Sequence, residues 1–122
     1  MELDVLQIAW VKSLNDRWLS LSELDFERIN TTGVYILWHG GDAPAVVRVG
    51  SGDIGTRLRD HYNNVLIRRY ENRGPLMVTW AAVASLAQRS GIENYLVELC
   101  QPLVSDYLPQ AEPLPVRSPF AG

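Results

Sequence analysis

The sequence predicts a small mixed α/β domain in which a three-stranded, mainly antiparallel sheet is flanked by helices. Two β-branched and aromatic runs, 33–38 and 45–49, are separated by a loop that contains glycine and proline, which indicates a hairpin. A segment with helical spacing follows, and a third apolar run, 76–83, comes after a Gly-Pro turn. At 122 residues the chain is long enough to bury a core as one domain.

The first segment of the chain has apolar residues spaced for an amphipathic helix. They recur at helical spacing, as Leu3, Leu6, Ala9 or Trp10, Leu14 and Trp18. We therefore expect residues 1–30 to form a helical extension packed on the domain, ending in an irregular connection to the first strand. Acidic residues dominate this extension. They solvate its surface, repel or mimic nucleic acid, or bind a partner protein.

The central helix begins after the second strand. The glycine-rich stretch 50–52 predicts a tight turn, and Asp53 is suited to cap the helix that follows. One helix face carries Arg57 and His61, four residues apart. The neighbouring face is apolar and is predicted to comprise Ile54, Leu58, Tyr62 and Val65.

A last helix follows the third strand, starting at Ser85 or Ser90. Its predicted core stripe comprises Ile92, Leu96, Leu99 and Leu103. Glu93 lies beside that stripe, so we expect it to project toward the sheet. Four prolines make a regular helix improbable over residues 107–122, and we expect this tail to run extended over the domain or to be partly disordered.

Cysteine content and hydropathy indicate the cellular compartment that we expect for this chain. The single Cys100 excludes an internal disulfide and fits a reducing cytoplasm, and its apolar neighbours predict a structural thiol. The chain contains no apolar run of the roughly 18 residues that a membrane span needs. The start lacks a basic stretch before an apolar one, so we expect neither a secretory leader nor a membrane partner.

The charge is unevenly distributed along the chain. The formal net charge is -3, yet residues 32–92 carry seven arginines against four acidic side chains. A planar guanidinium suits phosphate, and a basic surface is typical of a nucleic-acid partner. The alternative is that these arginines only solvate helix surfaces. We therefore expect a phosphodiester partner to bind within residues 32–92.

Short motifs with a specific order and spacing occur in this basic region. They are Gly33-Val34-Tyr35, Arg48-Val49-Gly50, and the RLRDH segment with Arg57 and His61. Together with the helix that carries Glu93, they resemble the GIY-YIG nuclease superfamily over residues 31–106. The first motif is intact, whereas the second has Arg48 where the family has tyrosine.

The resemblance implies divalent-metal-dependent hydrolysis of phosphodiester bonds, with DNA as the expected substrate. On the family's pattern, Tyr35 would orient or activate water, and Arg57 would stabilise phosphate charge. His61 would assist proton transfer or hold phosphate, and Glu93 would ligate a single Mg²⁺ or Mn²⁺ ion. The further arginines expected to bind nucleic acid are Arg48, Arg59 and Arg68.

The substitution at the second motif leaves the activity open. A guanidinium stays charged and offers no lone pair at neutral pH, so Arg48 cannot accept a proton as a tyrosine oxygen can. It can still bind a phosphate, and a catalytically impaired nucleic-acid-binding domain is therefore an alternative to an active nuclease. A third possibility is a protein-interaction module, which requires an exposed patch that includes Trp10 or Trp18. We expect any specificity to come from a protein partner, from a homo-oligomer or from the shape of the substrate.

Each candidate residue also has a purely structural interpretation. Tyr35 could fill the core, Arg57 could pair with Asp60 or Glu93, and His61 could be a surface imidazole. The negative charge of Glu93 near a helix start is favourable by itself. A nuclease requires more than this, because Tyr35, Arg57 and Glu93 must converge on one cleft.

Overall fold

A computed structural model describes residues 6–13, 15–105 and 108–120 of the chain. Its antiparallel sheet has the order β1-β4-β2-β3 and comprises β1 (Leu19–Ser20), β2 (Thr32–His39), β3 (Ala45–Asp53) and β4 (Leu76–Ala82). The α-helices are α1 (Ile54–Tyr62), α2 (Val65–Arg68) and α3 (Leu86–Cys100). Three 3₁₀ segments are Leu21–Glu23, Phe26–Arg28 and Arg69–Arg73. The mixed class and the three long strands are confirmed, and β1 is a short fourth strand that was not predicted.

Strand β2 lies inside the sheet and is buried on both faces. Tyr35 and Leu37 point into a core that includes residues of α1, whereas Val34 and Ile36 point into a second core that includes residues of α3. This alternation is the period of two that a strand imposes. The sheet is therefore a middle layer between α1 and α3, and both helices can reach its edge strand β3.

A β-bulge in β3 decides which side chains face α1. Leu37 pairs with Arg48 and Trp38 with Val46, so Val47 is an extra residue opposite β2. Directly paired residues of an antiparallel sheet point to the same face. Arg48 therefore points to the same side of the sheet as Leu37, which is the side that Tyr35 occupies.

The junction between β3 and α1 differs from the predicted turn. Residues 50–52 continue the strand and pair with residues 33–35 of β2, and the helix starts at Ile54. Gly52 lies within the paired strand, and its φ of 124° is a conformation that favours glycine. The predicted cap is confirmed, because the Asp53 carboxylate accepts from the backbone N–H of Thr56 at 3.5 Å.

Helix α1 is shorter than its predicted apolar face. Ile54 and Leu58 are fully buried, but the helix ends at Tyr62 and Val65 is 77% exposed. Asn64 starts a new helical turn, α2, because its side chain accepts from the N–H of Leu66 at 2.9 Å. The prediction that Val65 belongs to the core stripe was therefore wrong, since the break changes the helical phase.

Helix α3 is capped by Ser85, whose hydroxyl accepts from the N–H of Gln88 at 3.2 Å. Ile92 and Leu96 are buried as predicted, whereas Leu99 is 53% exposed. Leu103 is also exposed, because the helix ends at Cys100 and the chain turns to hydrogen-bond β3. Within the described ranges, no helix combines the length and the apolarity that crossing a membrane requires.

The segment before β1 is not helical in the described residues. Residues 6–13 are irregular and extended, and their half-buried and exposed side chains alternate from 6 to 10. The N–H of Val11 donates to a carbonyl of β4 at 2.9 Å, so backbone hydrogen bonds run between segments. The helix predicted within residues 1–30 was therefore wrong here, and Leu3 and Leu14 lie outside the described residues. The side chains that alternate into the core are Leu6, Ile8 and Trp10.

The described part of the C-terminal tail, 108–120, is free of helix and follows the domain surface, as predicted. The side-chain amide of Asn94 in α3 donates to the carbonyls of Pro109 and Ala111, both at 2.7 Å. Further along, Leu6 and Val116 form a parallel bridge. The tail is thus fixed to α3 and to the start of the described chain.

The tryptophans of the proposed interaction patch are half-buried. The Trp10 indole N–H donates to the carbonyl of Arg117 at 2.7 Å. The Trp18 ring packs edge-on against Trp38 at 5.4 Å and against Phe120 at 6.0 Å. Both indoles therefore tie the N-terminal segment to the domain, which is a structural role.

Candidate active site

A cleft of about 570 Å³ runs along the edge strand β3, and residues of α1 and α3 also line it. All four residues predicted for catalysis reach this cleft, together with the arginine of the second motif. They are Tyr35, Arg48, Arg57, His61 and Glu93. The convergence that a nuclease requires is therefore present, although these residues are separated by up to 58 positions in the sequence.

Tyr35 fills the core and also reaches the cleft. Its side chain is 1% exposed, and its hydroxyl lies 2.5 Å from Nε2 of His61. Gly50 is paired with Tyr35 across the strands, and a Cβ atom at Gly50 would lie 2.2 Å from the Tyr35 hydroxyl oxygen. The glycine of the second motif therefore leaves room for the tyrosine of the first.

The environment of Tyr35 favours the neutral phenol. Burial raises the pKa of Tyr35 to about 12. The positive charge of Arg48 and its hydrogen bond to Tyr35 act in the opposite direction, as does the charge of Arg57. At neutral pH the Tyr35 hydroxyl therefore carries its proton and can donate or relay it.

The raised pKa of Tyr35 predicts a loss of stability at alkaline pH. The ordinary pKa is 10.0 and the folded value about 12, so the unfolded chain loses this proton first. The stabilising contribution is complete below pH 10 and is lost as the pH rises toward 12. Between pH 9 and pH 11, we expect wild type to lose about 1 kcal/mol more unfolding free energy than Tyr35→Phe.

Urea unfolding followed by circular dichroism at the two pH values measures this difference. Tyr62→Phe serves as the control, because Tyr62 is only half-buried and lies on the same face of the sheet. We expect it to follow wild type. Equal alkaline losses in wild type and Tyr35→Phe would contradict the prediction.

His61 and Arg57 leave α1 toward the cleft, one turn apart. His61 is buried, and when its Nε2 is unprotonated the Tyr35 hydroxyl donates to it. Arg57 is exposed and lies across Gly52, where a Cβ atom would be 3.2 Å from its Nε. Among the described residues, Arg57 forms no salt bridge with Asp60 or Glu93. The structural explanation of Arg57 as an ion-pair partner is therefore not supported.

Glu93 enters the cleft from the second turn of α3. The Ser51 hydroxyl of β3 donates to its Oε1 at 2.7 Å, which fixes the carboxylate against the sheet edge. In the part of the chain that the structure describes, no three His, Cys, Asp or Glu side chains group as a metal cluster. A single half-buried carboxylate in an open cleft fits Mg²⁺ or Mn²⁺, because Mg²⁺ usually keeps several waters and binds through one or two carboxylates plus substrate oxygens.

Two arginines predicted to bind nucleic acid lie outside this cleft. Arg59 is exposed on α1, two residues after Arg57, and therefore points to another side of the helix. Arg68 pairs with Glu71, donates to the carbonyl of Tyr62 at 2.9 Å and stacks on the Tyr62 ring. The structure gives Arg68 a local structural role.

Several residues that line the cleft were not predicted. Asp60 follows Arg57 by three residues and Ser90 precedes Glu93 by three, so helical spacing alone places both near a predicted residue. No sequence spacing predicts that Pro109 of the tail lines the cleft, because only folding brings the tail next to the cleft. The residues concerned are Ser51, Asp60, Asn64, Ser90 and Pro109.

Comparison with protein-family models, with curated proteins and with solved structures finds no match for this chain. The resemblance to the GIY-YIG superfamily therefore stays a prediction that depends on the motif residues. The geometry of the cleft is independent of that resemblance.

Proposed function

We propose that this chain is a divalent-metal-dependent endonuclease of GIY-YIG type that hydrolyses phosphodiester bonds in DNA. The observation that carries the proposal is the convergence of Tyr35, Arg57, His61 and Glu93 on one cleft. Phosphodiester hydrolysis needs a route for the proton of the attacking water, positive charge at the phosphate and stabilisation of the leaving oxygen. The cleft offers protein groups for the first two needs and a carboxylate that would hold a cation for the third.

The proton route runs through Tyr35 and His61. The neutral Tyr35 hydroxyl accepts a hydrogen bond from the attacking water while it donates to Nε2 of His61, 2.5 Å away. As the water loses its proton to the Tyr35 oxygen, the phenol proton passes to the imidazole. Tyr35 is then a relay, and His61 is the terminal proton acceptor.

Two arginines of the cleft would supply positive charge at the phosphate. Arg57 is exposed in the cleft and free of salt bridges among the described residues, so its guanidinium is available to phosphate oxygens. Arg48 lies beside the Tyr35 hydroxyl and adds a second positive charge. The arginine of the second motif thus contributes phosphate binding and orientation of Tyr35, in place of a proton acceptor.

Glu93 would hold the divalent cation. When bound, such an ion would supply Lewis-acid stabilisation of charge on the phosphate and on the leaving oxygen. The part of the protein is to place the carboxylate, which the hydrogen bond from Ser51 does at 2.7 Å. Asp60 lines the same cleft and adds a second carboxylate to its rim.

A catalytically impaired domain that binds DNA is the second candidate function. The observation that favours it is Arg48, because the second motif then contributes a cation instead of a tyrosine oxygen. In that case Arg48 and Arg57 would hold the backbone phosphates without hydrolysis. Cleavage assays separate the two functions directly.

The first test compares two arginines of one helix. Wild type is expected to nick supercoiled plasmid with Mg²⁺ or Mn²⁺ and to stop with EDTA. Arg57→Ala should lower the nicking rate about 100-fold, because one cation at the developing phosphate charge is lost. Arg59→Ala, an equally exposed arginine outside the cleft, should change the rate less than about threefold.

The outcome assigns the function. Absence of cleavage by well-folded wild type overturns the nuclease and favours the binding domain. Nicking that persists in Arg57→Ala at the wild-type rate would point to a contaminating nuclease. Initial rates from gel densitometry, with folding checked by circular dichroism, are sufficient to decide.

A further inference from the structure

Two exposed apolar side chains directly follow a residue that lines the cleft. Val65 and Leu66 are 77% and 55% exposed, and they directly follow Asn64, which lines the cleft. Both belong to α2, the short helical turn after α1. What distinguishes this pair from other exposed apolar side chains, such as Leu99, is that its two members are adjacent and directly follow a residue of the candidate site.

The turn that carries this pair is held rigidly. Ile67, the next residue, is 1% exposed and anchors α2 in the core. The Asn64 side chain caps the turn at Leu66, and the Arg68 guanidinium donates to the carbonyl of Tyr62 at 2.9 Å. The two side chains are thus presented from a fixed backbone, which lowers the entropy cost of a contact.

Further arginines lie on the far side of this pair from the cleft in the chain. Arg69 follows Val65 by four residues and Leu66 by three, with helical backbone between, so it lies on the same exposed face. Its guanidinium and that of Arg73 both lie 5.2 Å from the ring of Tyr70. The apolar pair thus lies between the arginines of the cleft and those of the next turn. This arrangement suits a nucleic-acid strand, which has negatively charged phosphates for the arginines and bases with apolar faces for the pair.

We infer that Val65 and Leu66 form a wedge that enters the base stack beside the bound phosphate, and that the preferred substrate is duplex DNA interrupted by unpaired nucleotides. This inference rests on the proposed function for the substrate class. Insertion of aliphatic side chains between bases costs unstacking energy, which is lowest where stacking is already interrupted. A bulge or a branch therefore meets the wedge at lower cost than a continuous duplex does.

The test measures binding in EDTA, so that cleavage plays no part. The probes are a labelled, fully paired duplex and the same duplex with a two-nucleotide bulge flanked by 2-aminopurine. Wild type should bind the bulged duplex about tenfold more tightly, and 2-aminopurine fluorescence should rise on binding because the base unstacks. In Val65→Ser/Leu66→Ser the preference should fall below about twofold, with little change in affinity for the paired duplex.

Leu99→Ser is the matched control. Leu99 is 53% exposed, close to the value for Leu66, but it lies on α3 outside the cleft. It should keep the preference for the bulge and the fluorescence rise. A control that lost the preference as the double variant does would overturn the wedge, because the effect would then follow from any exposed apolar side chain.

The results separate the wedge from the nuclease. Wild type that shows no preference, no fluorescence change or no DNA binding overturns the wedge, as does a double variant that behaves like wild type. Bulge binding through Val65 and Leu66 in a wild type that never cleaves would uphold the wedge and reject the nuclease. If the protein cleaves DNA with metal and the double variant keeps the preference for the bulge, the nuclease is upheld and the wedge is rejected.

Discussion

If the proposed function is right, replacement of Glu93 by glutamine will reduce metal-dependent cleavage about 1000-fold, since several kcal/mol of charge stabilisation would depend on the cation held there. Glutamine preserves the size of the side chain, and its amide oxygen can still accept from Ser51. What is removed is the negative charge that would hold the proposed ion. The loss should therefore appear with little change in the free energy of unfolding.

Initial nicking rates over a series of Mg²⁺ concentrations measure this effect. Glu98→Gln is the control, because Glu98 is an exposed carboxylate of the same helix that lies outside the cleft. Its rate should stay within about twofold of wild type. A Glu93→Gln variant that reaches the wild-type rate at saturating Mg²⁺ would remove Glu93 from the metal site.

Of the variants proposed, Gly33→Ala is expected to lower the free energy of unfolding most, by about 3 kcal/mol or more. The added methyl group would overlap backbone atoms that cannot move aside. A Cβ atom at Gly33 would lie 1.9 Å from the carbonyl oxygen of Ala81 in the neighbouring strand β4. No rotamer can relieve this contact, since neither atom belongs to a movable side chain. The glycine of the first motif is thus required by the close approach of β2 to β4.

Urea unfolding at neutral pH tests this prediction. Gly40→Ala provides the comparison, because a Cβ atom there would meet Pro75 at an ordinary 3.6 Å. We expect a change below about 1 kcal/mol for that variant. A Gly33→Ala protein as stable as Gly40→Ala would mean that β2 and β4 lie farther apart than described.

The parts of the fold that local chemistry determines were predictable. Asp53 and Ser85 cap their helices because the side chains act on the first turn that follows them. The strands around Tyr35 and Val49 follow from β-branched and aromatic composition. For the candidate site, the helical spacing of Arg57 and His61 was enough to place both on adjacent turns.

The remainder depends on contacts between distant segments. In the N-terminal segment Leu6 and Trp10 fit a helical spacing, but Leu6, Ile8 and Trp10 also alternate, and hydrogen bonds to β4 and to the tail favour the extended form. Val65 is not part of the core stripe because α1 ends at Tyr62 and Asn64 caps a new helical turn. The bulge at Val47, which aims Arg48 at Tyr35, has no local sequence pattern that predicts it.

The parallel bridge between Leu6 and Val116 has a consequence for how the fold is attached to anything else. Leu6, the first described residue, is hydrogen-bonded to Pro115 and Arg117, which lie a few residues before the described chain ends at Phe120. Neighbouring ends allow a domain to be grafted into a surface loop of a host protein with little distortion of either. The same proximity makes the chain suited to circular permutation, with new ends opened in the exposed hairpin loop 41–44.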